Sequence, residues 1–237
     1  MKSTKTTEVW QVLSRVCDPE LDEPITDLNF IEEVIISESG SVKVKFRLPT
    51  AWCSPNFAWL MASGIQNEIS NLPWVKNVQP ILRDHIFGDK INEGLTAGNS
   101  FGEVFAGEAN GDIEEVKKKF IIKAFQRRQE LVIKDLLKEG IKVSELLSMN
   151  LNDLRSFNYS NDEADNNRHR YIEAHENVTA SNSAAFIDEN EEQIKLENFK
   201  IRMEKLRATR LNMEFTGSVC RSLLKVRDKS ELTEEKV

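Results

Sequence analysis

A cysteine set between a strand-like run and a helix start is the residue of this chain best placed to do chemistry. In Pro49-Thr50-Ala51-Trp52-Cys53-Ser54-Pro55-Asn56 an alternating segment ends and a helical one begins. Unpaired backbone N–H groups and the positive end of a helix dipole stabilise a thiolate in that position, and the thiolate is both the nucleophile and the soft-metal ligand. Two further cysteines exist, Cys17 and Cys220. Cys17 follows a helix end and reads as packing. Cys220 follows Thr216-Gly217, which reads as a possible second helix start; it is either a small buried hydrophobe or a partner that shares a metal with Cys53.

The run Asp18-Pro19-Glu20-Leu21-Asp22-Glu23-Pro24 places four carboxylates on a rigid loop. They serve as turn formers facing water, or Asp18 and Glu20 line the same pocket as Cys53. Carboxylates beside a thiol raise its pKa unless a cation lies between them, so the second arrangement makes chemical sense around a metal. Of the three histidines only His85, beside Asp84 at the end of a strand-like run, is a candidate ligand or ligand-orienting group.

Composition narrows the function classes. A chain of 237 residues with 40% apolar content buries a sizeable core and accommodates two domains. A net charge of −7 and a pI near 5.2 provide no global field for nucleic acid or an anionic membrane. Three cysteines at unrelated spacings are no disulfide framework, and no apolar run reaches the ~18 residues of a membrane span. A soluble protein of the reducing cytoplasm is the expectation.

The elements that position Cys53 follow from periodicity. Val9, Trp10, Leu13 and Val16 at helical spacing predict a first helix that stops at Asp18-Pro19. Residues 30–36 and 41–48 flank Glu38-Ser39-Gly40, and Val42, Val44, Phe46 and Leu48 alternate with polar residues, which predicts a hairpin. Phe57, Leu60, Met61, Ile65 and Ile69 share one face of a second helix with Ser54 as N-cap and Pro55 in its first turn. Residues 74–82 read as a third strand with an edge proline, Pro80. The fold class is therefore α+β: a small α-β-β-α-β domain over 1–85, followed by a mainly helical C-terminal region.

The second half divides by composition. Residues 86–111 are glycine-rich and read as a linker or a loop wrapped over the first domain; their glycines fit no phosphate-binding motif. Residues 112–157 are helical, opening at Asp112 as cap and with Gly140 just past a long helix; Phe125-Gln126-Arg127-Arg128 reads as a solvated face. Residues 158–194 carry nine acids against two arginines and read as partly mobile, with one small hairpin at 185–194. Residues 195–237 form a basic helical segment, with ten bases against four acids as far as Lys229. That charge either neutralises the acidic stretch or recognises an acidic client.

Asp18-Pro19-Glu20-Leu21, Pro24-Ile25-Thr26-Asp27-Leu28, the Cys53-Ser54-Pro55 junction and Val75-Lys76-Asn77-Val78, in that order over about 80 residues, resemble the SufT/PaaD-like iron-sulfur cluster assembly family, to which the eukaryotic cytosolic iron-sulfur targeting subunit belongs. Asn29 stands where that family usually has glycine, and asparagine tolerates the left-handed backbone such a position requires. Trp52 to Ala58, Asp84-His85, Asp89 to Asn92 and the ending Cys220 to Leu224 resemble a longer subgroup associated with soluble di-iron monooxygenase gene clusters. The resemblance implies an assembly or maturation factor, not a turnover enzyme. The resemblance implies a functional cysteine at Cys53; joined to the residue reading above, the expectation is that iron or an iron-sulfur cluster is bound transiently through Cys53, with Asp18, Glu20 and Cys220 at the site and His85 as a further metal ligand. The implied partners are a client metalloprotein, such as a di-iron monooxygenase or its reductase, and other iron-sulfur assembly proteins. A single strong thiol does not close a four-ligand site, so transfer or sharing across a homodimer is expected. The alternative is a chaperone-like partner of a di-iron monooxygenase with no cluster of its own.

Overall fold

The computed structural model describes residues 4–107, 113–179 and 181–234, with side chains as far as Arg227; the expected cap Asp112 lies outside the described residues. The chain divides into two units, Met1–Lys117 with Phe215–Val237, and Lys118–Glu214.

In the first unit α1 (Thr4–Leu13) buries Val9, Val12 and Leu13 and leads into a two-residue antiparallel ladder, β1 (Cys17–Asp18) with β2 (Glu23–Pro24). The main sheet has the order β3-β4-β5, from β3 (Ile31–Ile36), β4 (Ser41–Arg47) and β5 (Asn77–Arg83). The strict alternation in β4 is realised: Val42, Val44 and Phe46 are fully buried and Lys43 and Lys45 face outward. β3 and β4 form the expected antiparallel hairpin, whereas β5 runs parallel to β4 from Ser41–Asn77 to Arg47–Arg83. That parallel pairing needs a crossover, and α2 (Pro55–Ser70) supplies it with Ala58, Met61, Ala62, Ile65 and Ile69 packed inward. Pro80 lies on the edge strand, where a missing N–H is tolerated. Asn29 adopts φ 55°, the left-handed conformation that its place after Leu28 calls for.

The glycine-rich stretch read as a linker or wrapping loop instead contains α3 (Gly88–Thr96) and α4 (Phe101–Val104). Ile91, Leu95, Phe101 and Phe105 join the first core, and Asn92 clamps the outer edge of β5, accepting from Leu82 N–H at 2.8 Å and donating to its carbonyl at 3.0 Å. Gly94 is a contact residue, not a flexible one: a Cβ there would come within 2.4 Å of Val104 Cγ2. The composition signalled a loop, but Gly88 and Gly94 occupy positions where neighbouring chain approaches closely.

The second unit holds most of α5 (Ile113–Lys138), then α6 (Val143–Ser148), α7 (Leu151–Ser156), α8 (Asp162–Val178) and the first half of α9 (Phe199–Glu234). The acidic stretch read as partly mobile is ordered by α8: its acids face solvent while Tyr171 and His175 are fully buried and Ile172 and Ala174 nearly so. The small hairpin is present as a bridge between Ile187 and Gln193. Phe125 and Gln126 are buried, not solvated. Phe125 stacks on Tyr171 with centroids 5.6 Å apart. Gln129 ties the core together, donating to Tyr171 Oη at 2.9 Å and Ile187 O at 2.8 Å and accepting from Arg202. Basic residues of α9 pair with acids of the same unit, Arg202 and Lys205 with Glu189 and Arg210 with the buried Glu130. Internal pairing thus takes up three bases of this half of the segment, two of them through an acid of the 158–194 stretch.

Candidate functional site

The site lies in the first unit. Seven residues separate the end of β4 from α2, and Cys53 stands in that loop two residues before Pro55. Ser54 is the N-cap by position, its carbonyl accepting from Phe57 and Ala58 N–H, though its hydroxyl makes no capping bond. The Cys53 sulfur lies 3.2 Å from Thr50 Oγ1 and is half-buried against the core. Thr50 did not stand out in the sequence; its spacing of three residues before Cys53, within one turn, was the available signal.

The segment following β5 fastens this loop. Ile86 N–H donates to Ala51 O at 2.9 Å, and His85 Nε2 lies 2.9 Å from Cys53 O. Phe87 N–H donates to His85 Nδ1 at 3.2 Å, so the ring carries its proton on Nε2 and donates to Cys53 O. Both ring nitrogens are thereby engaged with backbone. His85, expected as a metal ligand, offers no lone pair in this arrangement and instead holds the loop. Burial lowers its pKa below 6.5, against the opposing pull of Cys53 O, which keeps the ring neutral at physiological pH. Asp84, at φ 51°, accepts from Arg47 at 2.8 Å and fixes the turn that brings His85 round. Replacing His85 with alanine is expected to raise hydrogen exchange at the Ile86 amide several-fold while the exchange of buried β4 amides stays as in the parent chain; unchanged exchange at Ile86 would remove His85 from this role.

Asp18 is buried. Its Oδ1 accepts from Glu20 N–H at 2.8 Å and Leu21 N–H at 3.0 Å, closing the turn whose apolar members Leu21, Ile25 and Leu28 enter the core. Desolvation pushes its carboxyl up to about 6, outweighing the two backbone bonds; Glu20 and Glu23 add to the rise. A carboxyl raised in the folded state contributes stability that is full below the unfolded value of 3.8 and lost as pH rises through about 6. Asp18→Asn retains an oxygen for both N–H donors without the buried charge. It is therefore expected to be more stable than the parent at pH 7.5, by about 1 kcal/mol or more, with the gain vanishing below about pH 4. Urea denaturation at the two pH values measures this.

Cys220 does not begin a helix. α9 runs unbroken through Thr216-Gly217, and Gly217 serves instead to let Arg221 fold back along the helix: a Cβ there would lie 3.2 Å from the guanidinium, which reaches Glu23 at 2.8 Å. Mid-helix, the thiol has no helix terminus to stabilise its anion. Burial pushes its pKa up to about 11, and Asp18, Cys53 and Glu20 push in the same direction against Arg221. The four groups singled out in the sequence, Asp18, Glu20, Cys53 and Cys220, therefore share one electrostatic neighbourhood. Among the described residues, however, no three His, Cys, Asp or Glu side chains stand at metal-holding distance from one another. Cys17 lies half-buried in β1.

Residues 6–79 match the profile of a family described as iron-sulfur cluster assembly protein. The chain is also similar to an uncharacterised protein of Methanocaldococcus jannaschii, 30% identical over 88 residues that make up 37% of this chain and 90% of that relative. The family match covers α1 through the start of β5 and includes Asp18, Glu20 and Cys53; His85 and Cys220 lie outside it. Among the described residues no helix is long and apolar enough to cross a membrane.

Proposed function

This chain belongs to the iron-sulfur cluster assembly protein family through its N-terminal domain, and from that premise we propose that it carries iron or a nascent cluster on Cys53 and delivers it to a client metalloprotein. The cargo is substrate, held transiently. Cys53 is the primary ligand, Cys220 a second thiolate, and Asp18 and Glu20 set the charge of the site. What supports this reading most directly is the family match over the stretch that holds Asp18, Glu20 and Cys53, together with the placement of Cys220 against the same core as Cys53, where Asp18, Cys53 and Glu20 add to the rise of its thiol pKa. As anions they repel, so the Cys220 thiol keeps its proton until a cation arrives; thiolate–metal bonding then releases that proton to solvent. Two thiolates are too few to close a cluster, which suits a carrier that hands its cargo on or shares it with a second copy.

The chain acts as a carrier and not as a thiol enzyme. A general base must reach the nucleophile, and His85 faces the Cys53 carbonyl with both nitrogens engaged. The resemblance of Trp52 to Ala58 and of the C-terminal residues to the monooxygenase-associated subgroup makes a di-iron monooxygenase or its reductase the client class. Anaerobic reconstitution with ferrous iron and sulfide, followed by transfer to an apo iron-sulfur protein, tests the proposal. Charge-transfer absorbance on the chain that decays as the acceptor gains activity is expected; acceptor activation at the rate of free iron and sulfide alone would refute it.

A further inference from the structure

Beside the thiol site, the C-terminal half of α9 carries an apolar face that the fold leaves in solvent. Phe215, Val219, Leu223 and Val226 are exposed, Phe215 at 71% and Val226 at 67%, and Trp52, next to Cys53, is exposed at 74%. At about 100° per residue the four helix residues fall within about 80° of one another. Gly217, Cys220 and Leu224 lie on the opposite side, where Cys220 and Leu224 meet the first core. This stretch is therefore apolar on two faces, and only one is used by the fold. The unused face borders a groove of about 320 Å³ walled by Leu48, Pro49, Trp52, Leu223 and Val226, with Arg227 at its rim donating to Leu48 O at 2.8 Å.

The helix segment itself is basic. From Phe215 to Arg227 the sequence has Arg221, Lys225 and Arg227 and no acid; Arg221 pairs with Glu23, and Asp84 on the groove wall is held by Arg47. Two copies joined through the same face would bring like charges together, which disfavours self-association there. A groove sized for a side chain, set into the fold beside a projecting indole, fits a peptide segment better than a planar lipid surface.

We propose that this face is the client-docking surface, and that its occupant is an amphipathic helical segment of the client that inserts an apolar side chain between Trp52 and Leu223/Val226 and sets carboxylates against Lys225. The inference deepens the carrier reading and rests on it for the identity of the occupant as a client. Trp52 and Leu223 each lie close in sequence to a thiol, one residue from Cys53 and one helical turn from Cys220, so docking here brings the acceptor to the cargo.

The test uses the full chain and two designed helical peptides with identical leucine faces, one flanked by glutamates and the other by lysines. The glutamate peptide is expected to bind and change indole emission, a change absent in Trp52→Phe. Leu223→Asp with Val226→Asp should weaken binding about tenfold or more, and Lys225→Glu should weaken it further at low salt than at high salt. Circular dichroism melts of the variants must match the parent. Cys53→Ser must bind the peptide as the parent does, which separates failure of the docking surface from failure of the carrier proposal. Equal binding of the lysine peptide, association with phosphatidylserine vesicles that the double variant abolishes, or a parent dimer in ultracentrifugation that the double variant splits would each overturn the proposal.

Discussion

Cys53→Ser is expected to leave the fold intact and abolish iron loading. The sulfur is half-buried and lies 3.2 Å from Thr50 Oγ1, a contact that a serine hydroxyl can also make. The stability cost should stay within about 1 kcal/mol. Its effect on cargo is far larger, because a neutral hydroxyl at pH 7 does not replace a thiolate toward iron. After anaerobic reconstitution the serine variant should show no charge-transfer absorbance and activate no acceptor. Cys220→Ser should fall between the variant and the parent, since the raised thiol is the second ligand to lose its proton. A serine variant at position 53 that loads and transfers as well as the parent would end the thiol-carrier reading and favour a maturation partner for a di-iron monooxygenase that handles metal through carboxylates.

Gly40→Val, at the end of β4 remote from Cys53, is expected to destabilise the fold by about 3 kcal/mol or more. Gly40 sits at φ 86°, a conformation costly for a β-branched residue, and a Cβ there would lie 2.6 Å from Trp74 O. Its carbonyl accepts Lys76 N–H at 2.8 Å, the bond that starts the parallel register of β4 with β5. β5 in turn delivers His85 to the Cys53 loop. The expected outcome is therefore double: a lower midpoint in urea and faster exchange at Ile86, well away from the substitution. A midpoint shift with Ile86 protection unchanged would show that the turn and the loop are independent.

The first domain was largely legible because its information is local. Alternation in β4, the helical spacing in α2 and the proline-bounded acidic turn each state which side of an element is buried, and the family match over 6–79 follows the same residues. Asn29 was legible by another route: the glycine usual at its position in the resembled family implied a left-handed backbone, and it has one. Residues 86–111 were misread because glycine has two uses, freedom of the backbone and closeness of packing, and the sequence does not say which. Gly94 serves closeness. Residues 158–194 were misread because charge density resembles disorder when the partner of the buried face is remote in sequence. Tyr171 is buried by Gln129 and Phe186, and composition contains no trace of them.

Cys220 and His85 mark the boundary most sharply. Sequence alone determined that Cys53 precedes a helix, that the proline-bounded acidic run is a loop and that the β4 face is apolar, since each depends on neighbours within a few residues. Only the tertiary structure decided that His85 spends both nitrogens on backbone, and that Cys220 lies mid-helix with its thiol pKa pushed up to about 11 by burial and by the charges of Asp18, Cys53 and Glu20. Those outcomes depend on desolvation and on contacts between residues up to two hundred positions apart, and no periodicity encodes which distant group will stand beside a given side chain.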